Sequence, residues 1–140
     1  MAILNSYLNF DGDAEEAFNF YKSVFGGEFL VLTRFKEIPE CEIMSIEDQE
    51  KIMHISLPIG KASILMATDI LSSLGQSLTL GNNSYISISA ETEEEAIRLF
   101  NGLSVGGVIT MPLEKSFWGS FFGMFNDKYG IQWMINYEFK

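Results

Sequence analysis

One short stretch of sequence occurs twice in this chain and constrains its fold more than any other feature. Asp13–Tyr21 and Thr92–Phe100 align without a gap. Each copy opens with a helix-capping residue, carries a glutamate three positions later, and then places apolar residues at helical spacing. A strand-like run precedes each copy and apolar strands follow it. The chain is therefore predicted to consist of two similar strand–helix–strands modules placed end to end.

The remaining sequence divides in the same way. Module one covers about residues 1–70, a connector rich in Ser, Gly and Asn covers about 70–83, and module two covers about 84–140, all within a single domain of residues 1–140. The predicted strands are 3–10, 28–35, 51–58, 62–68, 84–90, a strand beginning at 108, 121–125 and 131–137. Glycine pairs at 26–27 and 106–107 are predicted to stop the two helices. The acidic residues between 37 and 50 indicate a solvated loop, with a Mg²⁺ or Ca²⁺ site as the alternative.

Charge and cysteine content narrow the possible partners and location. The formal net charge is −10 at pH 7, which argues against binding to nucleic acid or to an anionic membrane surface. Cys41 is the only cysteine, so no disulfide can form within the chain, and its acidic surroundings predict an inert thiol. The sequence lacks a signal-peptide pattern and an apolar run long enough to span a membrane, so we expect a cytoplasmic protein.

Alternation along the strands predicts a candidate binding surface. Each strand has an apolar side, which we expect the helices to cover, and a more polar side that points away from them. If the two half-sheets curl toward each other, the polar sides line one shared, aromatic-lined cup that could bind a small molecule. The alternative is a polar face that simply meets water. The candidate ligand-binding residues are Asn5, Tyr7, His54, Tyr85, Phe117, Trp118 and Met134.

Several motifs of known chemistry are missing from the sequence. It has no Gly-x-Gly-x-x-Gly fingerprint, no Walker-type phosphate loop and no Gly-x-Ser-x-Gly elbow. His54 is the only histidine, so a multi-histidine metal site within one chain is excluded, and this residue is either a structural hydrogen-bonding group or a functional one. The charged pair Glu114 and Lys115 beside Phe117 is either a polar anchor for a ligand or a surface ion pair. No catalytic residue is assigned.

Motifs along nearly the whole chain resemble those of PhnB-like proteins. The opening carries Tyr7-Leu-Asn-Phe10, Ala17-Phe-x-Phe-Tyr21 and Phe25-Gly-Gly-Glu28. The late part carries Phe117-Trp118, Phe121-Phe-Gly123, Asp127-Lys-Tyr-Gly130 and Trp133-Met-Ile-Asn136. PhnB-like proteins belong to the glyoxalase/bleomycin-resistance/dioxygenase (vicinal oxygen chelate) superfamily. The resemblance implies an α+β fold in which paired βαβββ modules form a curled mixed sheet, the glyoxalase/bleomycin resistance/dihydroxybiphenyl dioxygenase fold, and a homodimer.

The resemblance also implies where metal ligands would lie. The metal-using members of the superfamily place His, Glu or Gln on the first and last strands of each module. Those positions fall here at about Asn5, Leu65 (Met66 with a shift of one), Tyr85 and Met134. Because Leu and Met do not ligate a hard or borderline divalent metal, we expect neither a metal nor another cofactor.

Three functions remain open at this level. The first is a metal-free protein that binds a small molecule in its cup. The second is a metal-dependent lyase, isomerase or dioxygenase with atypical ligands such as His54 and Glu114, which rests on the superfamily alone. The third is a structural or regulatory homodimer whose cup is filled by its own side chains.

Overall fold

The computed structural model describes residues 2–139 and has an α+β fold with two four-stranded mixed sheets. The chain divides into two compact units between Thr79 and Leu80. This boundary lies inside the segment of residues 70–83 that the sequence marks as a connector. Unit 1 precedes the boundary and unit 2 follows it, and each unit is described here by itself.

Unit 1 is built on one sheet and one long helix. Its elements are β1 (Ser6–Phe10), α1 (Ala14–Phe25), β2 (Val31–Arg34), the short α2 (Ile46–Gln49), β3 (Ile52–Ile59) and β4 (Ser63–Asp69). The strand order is β1-β4-β3-β2, with β1 parallel to β4 and the other neighbours antiparallel. A single-turn 3₁₀ helix at Ser72–Leu74 follows the last strand.

Unit 2 repeats this plan. Its elements are β5 (Ile86–Ser89), α3 (Glu93–Leu103), β6 (Val108–Lys115), β7 (Ser120–Asn126) and β8 (Gln132–Glu138). The order β5-β8-β7-β6, with β5 parallel to β8, matches that of unit 1 position for position. The βαβββ repeat and the α+β class predicted from the sequence are confirmed.

The two repeated helices begin in different ways, although their sequences align. Thr92 caps α3 as predicted, since its hydroxyl accepts a bond of 3.0 Å from the backbone N–H of Glu95. The side chain of Asp13 makes no capping bond, so the prediction of a cap at this residue is wrong. Asp69, at the end of β4, takes over that role. One of its carboxylate oxygens accepts the N–H of Gly12 at 2.9 Å and the N–H of Ala14 at 3.0 Å.

The acidic segment of residues 37–50 is more ordered than the predicted solvated loop. Phe35, Met44 and Leu71 form a small buried cluster beneath it. Asp48 is buried and binds the ammonium group of Lys51 at 2.8 Å, and it also accepts bonds from the backbone and hydroxyl groups of Ser73. The other acidic residues of this segment are exposed, as expected of a solvated segment, whereas the burial of Asp48 was not predicted because it depends on Ser73, which lies 25 residues away in sequence.

The first strand is shorter than predicted. The prediction placed a strand at 3–10, whereas β1 begins at Ser6 and Leu4, inside the predicted strand, is 98% exposed. The first buried residue of this segment is Phe10. Its ring packs edge-on against Phe18 of α1, with the ring centroids 6.3 Å apart. The core of unit 1 therefore lies between α1 and the helix-facing side of its sheet.

The core of unit 2 lies between α3 and its own sheet. Phe100 of α3 packs edge-on against Phe125 of β7 with 5.1 Å between ring centroids, and Trp133 of β8 is buried. Gly123 of β7 allows this close packing, because a Cβ at that position would lie 2.6 Å from Cε2 of Phe100. Within residues 2–139, no helix has the length and apolar character needed to cross a membrane.

Candidate ligand-binding faces

The sheet of unit 1 has one side that α1 does not cover, which we call the open face of unit 1. Strand register places Tyr7 beside Met66 and Ser56, and the same alternation places Asn9, Thr68, His54 and Thr33 on this side. Tyr7 is 49% exposed. This face thus combines hydroxyl, amide and imidazole groups with one thioether.

Tyr7 and His54 form a pair on this face. The phenol oxygen of Tyr7 lies 3.3 Å from Nδ1 of His54, and the two ring centroids are 5.7 Å apart. These two residues come from β1 and β3, which flank β4, so the sheet brings them together across one strand. The two rings are inclined at 33° to each other, so the pair presents a bent aromatic surface with hydrogen-bonding groups, and these two candidate residues are in contact.

The corresponding side of the second sheet, the open face of unit 2, has a different chemistry. Register places Ser87, Met134, Met124 and Met111 in one row across all four strands. The next row contains Ser89, Asn136, Phe122 and Glu114. Thioethers are flexible and polarisable, so such a row provides an apolar surface that can adapt its shape.

Phe117 and Trp118 lie in the turn between β6 and β7, at the margin of this face. Phe117 is 97% exposed and stands edge-on to Trp118, with 5.0 Å between centroids. Trp118 in turn packs against Phe122 at 5.7 Å and remains 56% exposed. Two of the candidate aromatic residues are therefore neighbours, and they extend the apolar surface of unit 2.

The other candidates are less well placed. Asn5 is exposed and precedes the first residue of β1, and Tyr85 is half-buried and precedes the first residue of β5. Alternation along an ideal strand would put both on the open faces, but neither position is part of a strand. Met134, in contrast, lies in the middle of β8 and within the methionine row.

Two residues of the methionine row were not among the sequence candidates. Met124 shares the parity of Phe122 in β7, so alternation alone could have placed it on the open face. Met111 could not be placed in this way, because the register between β6 and β7 shifts on both sides of it. Bulges of this kind change which residues share a face and leave no simple sequence pattern.

The positions that correspond to the superfamily's metal ligands do not suit a hard or borderline divalent ion. Leu65 is buried on the helix side, and Met66 is the residue that shares the open face with Tyr7. A thioether at this position and another at Met134 are soft donors. Among residues 2–139, no three His, Cys, Asp or Glu side chains come together as a metal-binding group. The described residues of the acidic segment 37–50, considered above for Mg²⁺ or Ca²⁺, form no such group either.

A separate depression of about 560 Å³ opens beside the start of α1 in unit 1. Its cationic groups are already paired, since Arg34 binds Glu15 and Lys51 binds Asp48, both at 2.8 Å. Asp69, at its base, is fully engaged with backbone N–H groups. Burial raises the pKa of Asp69, and the bonds from these N–H groups oppose that rise. The groups that line this depression thus serve to hold the unit together.

Comparison with known proteins places the chain in a family. The sequence profile of the Glyoxalase/Bleomycin resistance protein/Dioxygenase superfamily matches residues 3–135. The chain belongs to this superfamily. It is 32% identical over 139 residues to Protein YjdN of Escherichia coli (strain K12), which covers 95% of this chain and 93% of that protein.

Solved structures agree with this placement. The crystal structure of protein PA1353 from Pseudomonas aeruginosa matches with a TM-score of 0.86 and 36% identity, covering 99% of this chain and 98% of that one. A PhnB protein from Bacillus cereus, whose name also includes 3-demethylubiquinone-9 3-methyltransferase, matches with a TM-score of 0.77 and 28% identity over 97% and 99% of the two chains. The resemblance to PhnB-like proteins is confirmed.

Proposed function

We propose that this member of the superfamily binds a small organic molecule on the open faces of its sheets, and does so in the cytoplasm without a metal ion. The proposal rests on the kinds of side chain that lie on these faces. They hold partly exposed aromatic, thioether and neutral polar side chains on a rigid sheet, where a purely solvated face would need only polar ones.

Each open face offers its own groups for recognition, the Tyr7–His54 pair in unit 1 and the methionine row in unit 2. The phenol and imidazole groups can orient a polar part of a ligand by hydrogen bonds. On the open face of unit 2, the thioethers and the Trp118 ring can cover the apolar part of a ligand. Small-molecule sites combine such an apolar lining with a few polar groups that fix orientation.

Binding without a metal is consistent with the donors present. The two positions on the open faces that correspond to ligands of the metal-using members are Met66 and Met134. Metal analysis by mass spectrometry, on untagged protein purified without chelators, tests this part directly. Near-stoichiometric Zn, Mn, Ni or Fe would contradict it and would favour a metal-dependent enzyme.

We also propose a homodimer, because edge strands of both sheets expose apolar residues. Val108, Ile109 and Met111 lie on the edge strand β6, and Val31 and Leu32 lie on the edge strand β2. Exposed apolar edges favour pairing with another chain. Another copy of the chain could also supply a second wall to an open face. Sedimentation that shows only monomer at micromolar concentration would refute the dimer.

A ligand screen followed by substitution tests the binding site. Compounds that quench tryptophan fluorescence or raise the melting temperature would be taken as ligands and their affinity measured by calorimetry. Tyr7→Ala is expected to weaken the binding of ligands of the unit 1 face about tenfold, and Trp118→Ala that of ligands of the unit 2 face, as the loss of one aromatic contact of about 1.5 kcal/mol implies.

The matched control is Tyr137→Ala. Tyr137 pairs with Phe121 on the opposite side of the sheet of unit 2 from the methionine row. The same truncation there should leave affinity unchanged if the open faces form the site. Equal affinities for wild type, Tyr7→Ala and Trp118→Ala would show that the molecule binds elsewhere.

A further inference from the structure

We infer that the open face of unit 2 takes a planar aromatic cation, an inference that rests on the proposed small-molecule function and specifies its ligand class. The first observation is the methionine row of Met111, Met124 and Met134. Three thioethers on three adjacent strands form a soft floor about 10 Å wide, since neighbouring strands lie about 4.8 Å apart. This width matches a fused aromatic ring system better than a compact aliphatic molecule.

The second observation is the aromatic wall beside this floor. Phe122 lies in the next row of the sheet, and Trp118 packs against it at an angle of 65°. Trp118 is more than half exposed, so a large part of it is accessible to a ligand. Sulfur contacts with aromatic rings contribute about 0.3–1.5 kcal/mol each, and a cation near an indole face contributes about 0.5–2 kcal/mol.

The third observation is the sign of the charges on this face. Glu114 pairs with Phe122 across β6 and β7, and Glu138 follows Asn136 on the same side of β8. Both carboxylates are exposed, and within residues 2–139 neither forms an ion pair.

Among residues 2–139, the two lysines of the adjoining segments, Lys115 and Lys128, are engaged elsewhere. Lys115 pairs with Phe121 on the other side of the sheet, and its ammonium group lies 5.0 Å from the centroid of the Phe139 ring. Lys128 lies in the turn after β7, 5.5 Å from the Tyr129 ring. The open face of unit 2 therefore combines thioethers, aromatic rings and two carboxylates. This arrangement complements a flat, apolar molecule that carries a positive charge, and it repels an anion of the same shape.

Two tricyclic probes of similar size separate charge from shape. Proflavine is a planar cation at neutral pH, and anthracene-2-sulfonate is a planar anion. Titration of the wild-type protein, followed by calorimetry, is expected to give at least about tenfold tighter binding of proflavine, with an affinity that falls as salt is added.

Substitutions locate the charge effect. Glu114→Gln together with Glu138→Gln should weaken proflavine binding about tenfold and leave the sulfonate unaffected or bound more tightly. Glu93→Gln together with Glu94→Gln removes the same number of charges from exposed positions of α3, away from the face, and is the control for general attraction to an acidic protein. Trp118→Leu should also weaken proflavine binding.

The possible results distinguish a failure of the aromatic-cation inference from a failure of the proposed small-molecule function. Equal affinity for both probes, or equal loss in the control that carries Glu93→Gln and Glu94→Gln, overturns the charge argument while small-molecule binding at the face stands. Absence of binding by both probes overturns the aromatic-cation inference. The broader function fails only if the wider ligand screen also returns no compound whose affinity depends on Tyr7 or Trp118.

Discussion

At the scale of single residues, Asp127 holds together the turn that joins β7 to β8. One of its carboxylate oxygens accepts the backbone N–H groups of Tyr129 at 2.8 Å and Ile131 at 3.0 Å. The other accepts the indole N–H of the buried Trp133 at 2.8 Å. One side chain thus satisfies three donors, and its position in the sequence Asp-Lys-Tyr-Gly is typical of a turn.

Replacing Asp127 by Ala is expected to lower the free energy of unfolding by about 2–4 kcal/mol, because it leaves the buried indole N–H without its acceptor. Asp127→Asn keeps an acceptor oxygen and should lose less. Urea unfolding measured by tryptophan fluorescence gives both values. Equal stability of the alanine variant and wild type would show that the turn forms without these bonds.

A second residue-scale prediction concerns Gly123. Its missing side chain leaves room for the Phe100 ring and for the backbone of Leu113, whose Cα would lie 2.9 Å from an added Cβ. Gly123→Ala should therefore cost about 1–3 kcal/mol in calorimetric or urea unfolding.

Two variants test this explanation. Gly81→Ala makes the same change where the nearest atom would be a side-chain oxygen at 3.8 Å, and it should cost little. Phe100→Leu in the Gly123→Ala background should recover part of the loss, whereas a purely additive loss would contradict the proposed clash.

At the scale of elements, Asp69 links three parts of unit 1. Besides capping α1, its second carboxylate oxygen accepts the N–H of Ile52 at the start of β3, at 2.9 Å. The end of β4 is thereby tied both to the β1–α1 connection and to a neighbouring strand. A helix that is capped from another strand can form fully only when the sheet is in register.

The expected order of three capping variants follows from this arrangement. Asp69→Ala should cost about 3 kcal/mol and Thr92→Ala about 1 kcal/mol, whereas Asp13→Ala should cost less than about 0.5 kcal/mol. Urea midpoints for the three proteins give the order. A larger loss of stability for Asp13→Ala than for Asp69→Ala would show that Asp13, as predicted from the sequence, is the residue that caps α1.

Asp13 and Asp69 also show where prediction from sequence reaches its limit. The repeated helices, the glycine stop after α1 and the turn at 127–130 depend on neighbours within a few residues, so their patterns are visible in the sequence. The sequence also predicted the helix-facing and open sides of the strands, because alternation is a local property. The cap from Asp69, the Asp48–Ser73 contacts and the bulges that place Met111 depend on residues far apart in the chain.

At the scale of the whole molecule, the excess of carboxylates and one buried ion pair have opposite effects on stability as pH falls. The chain has a net charge of −10 at pH 7 and a pI of about 4.4, so acidification first relieves repulsion among its carboxylates. The bonds from Lys51 and Ser73 lower the pKa of Asp48 from 3.8 to about 2. Its ionised form thus contributes stability that is fully present above 3.8 and is lost as pH falls toward 2.

Stability is therefore expected to stay level or rise between neutral pH and the pI, and then to fall steeply below pH 3.8. At the alkaline end, the bond to Asp48 raises the pKa of Lys51, so its contribution is complete below 10.5 and declines above its raised pKa. Urea unfolding measured above and below pH 3.8 tests the predicted loss of stability in acid. Asp48→Asn should unfold at lower urea than wild type at neutral pH and should show a shallower loss on acidification.

The methionine row has a further consequence, for the chemical durability of the protein. Peroxide converts a thioether into a polar, chiral sulfoxide, and susceptibility follows exposure. Met111 is 45% exposed, while Met44 is buried beside Phe35 and Leu71, so mass spectrometry of peroxide-treated protein should find Met111 oxidised well before Met44. Oxidation of the row would therefore turn the apolar surface of the unit 2 face into a polar one.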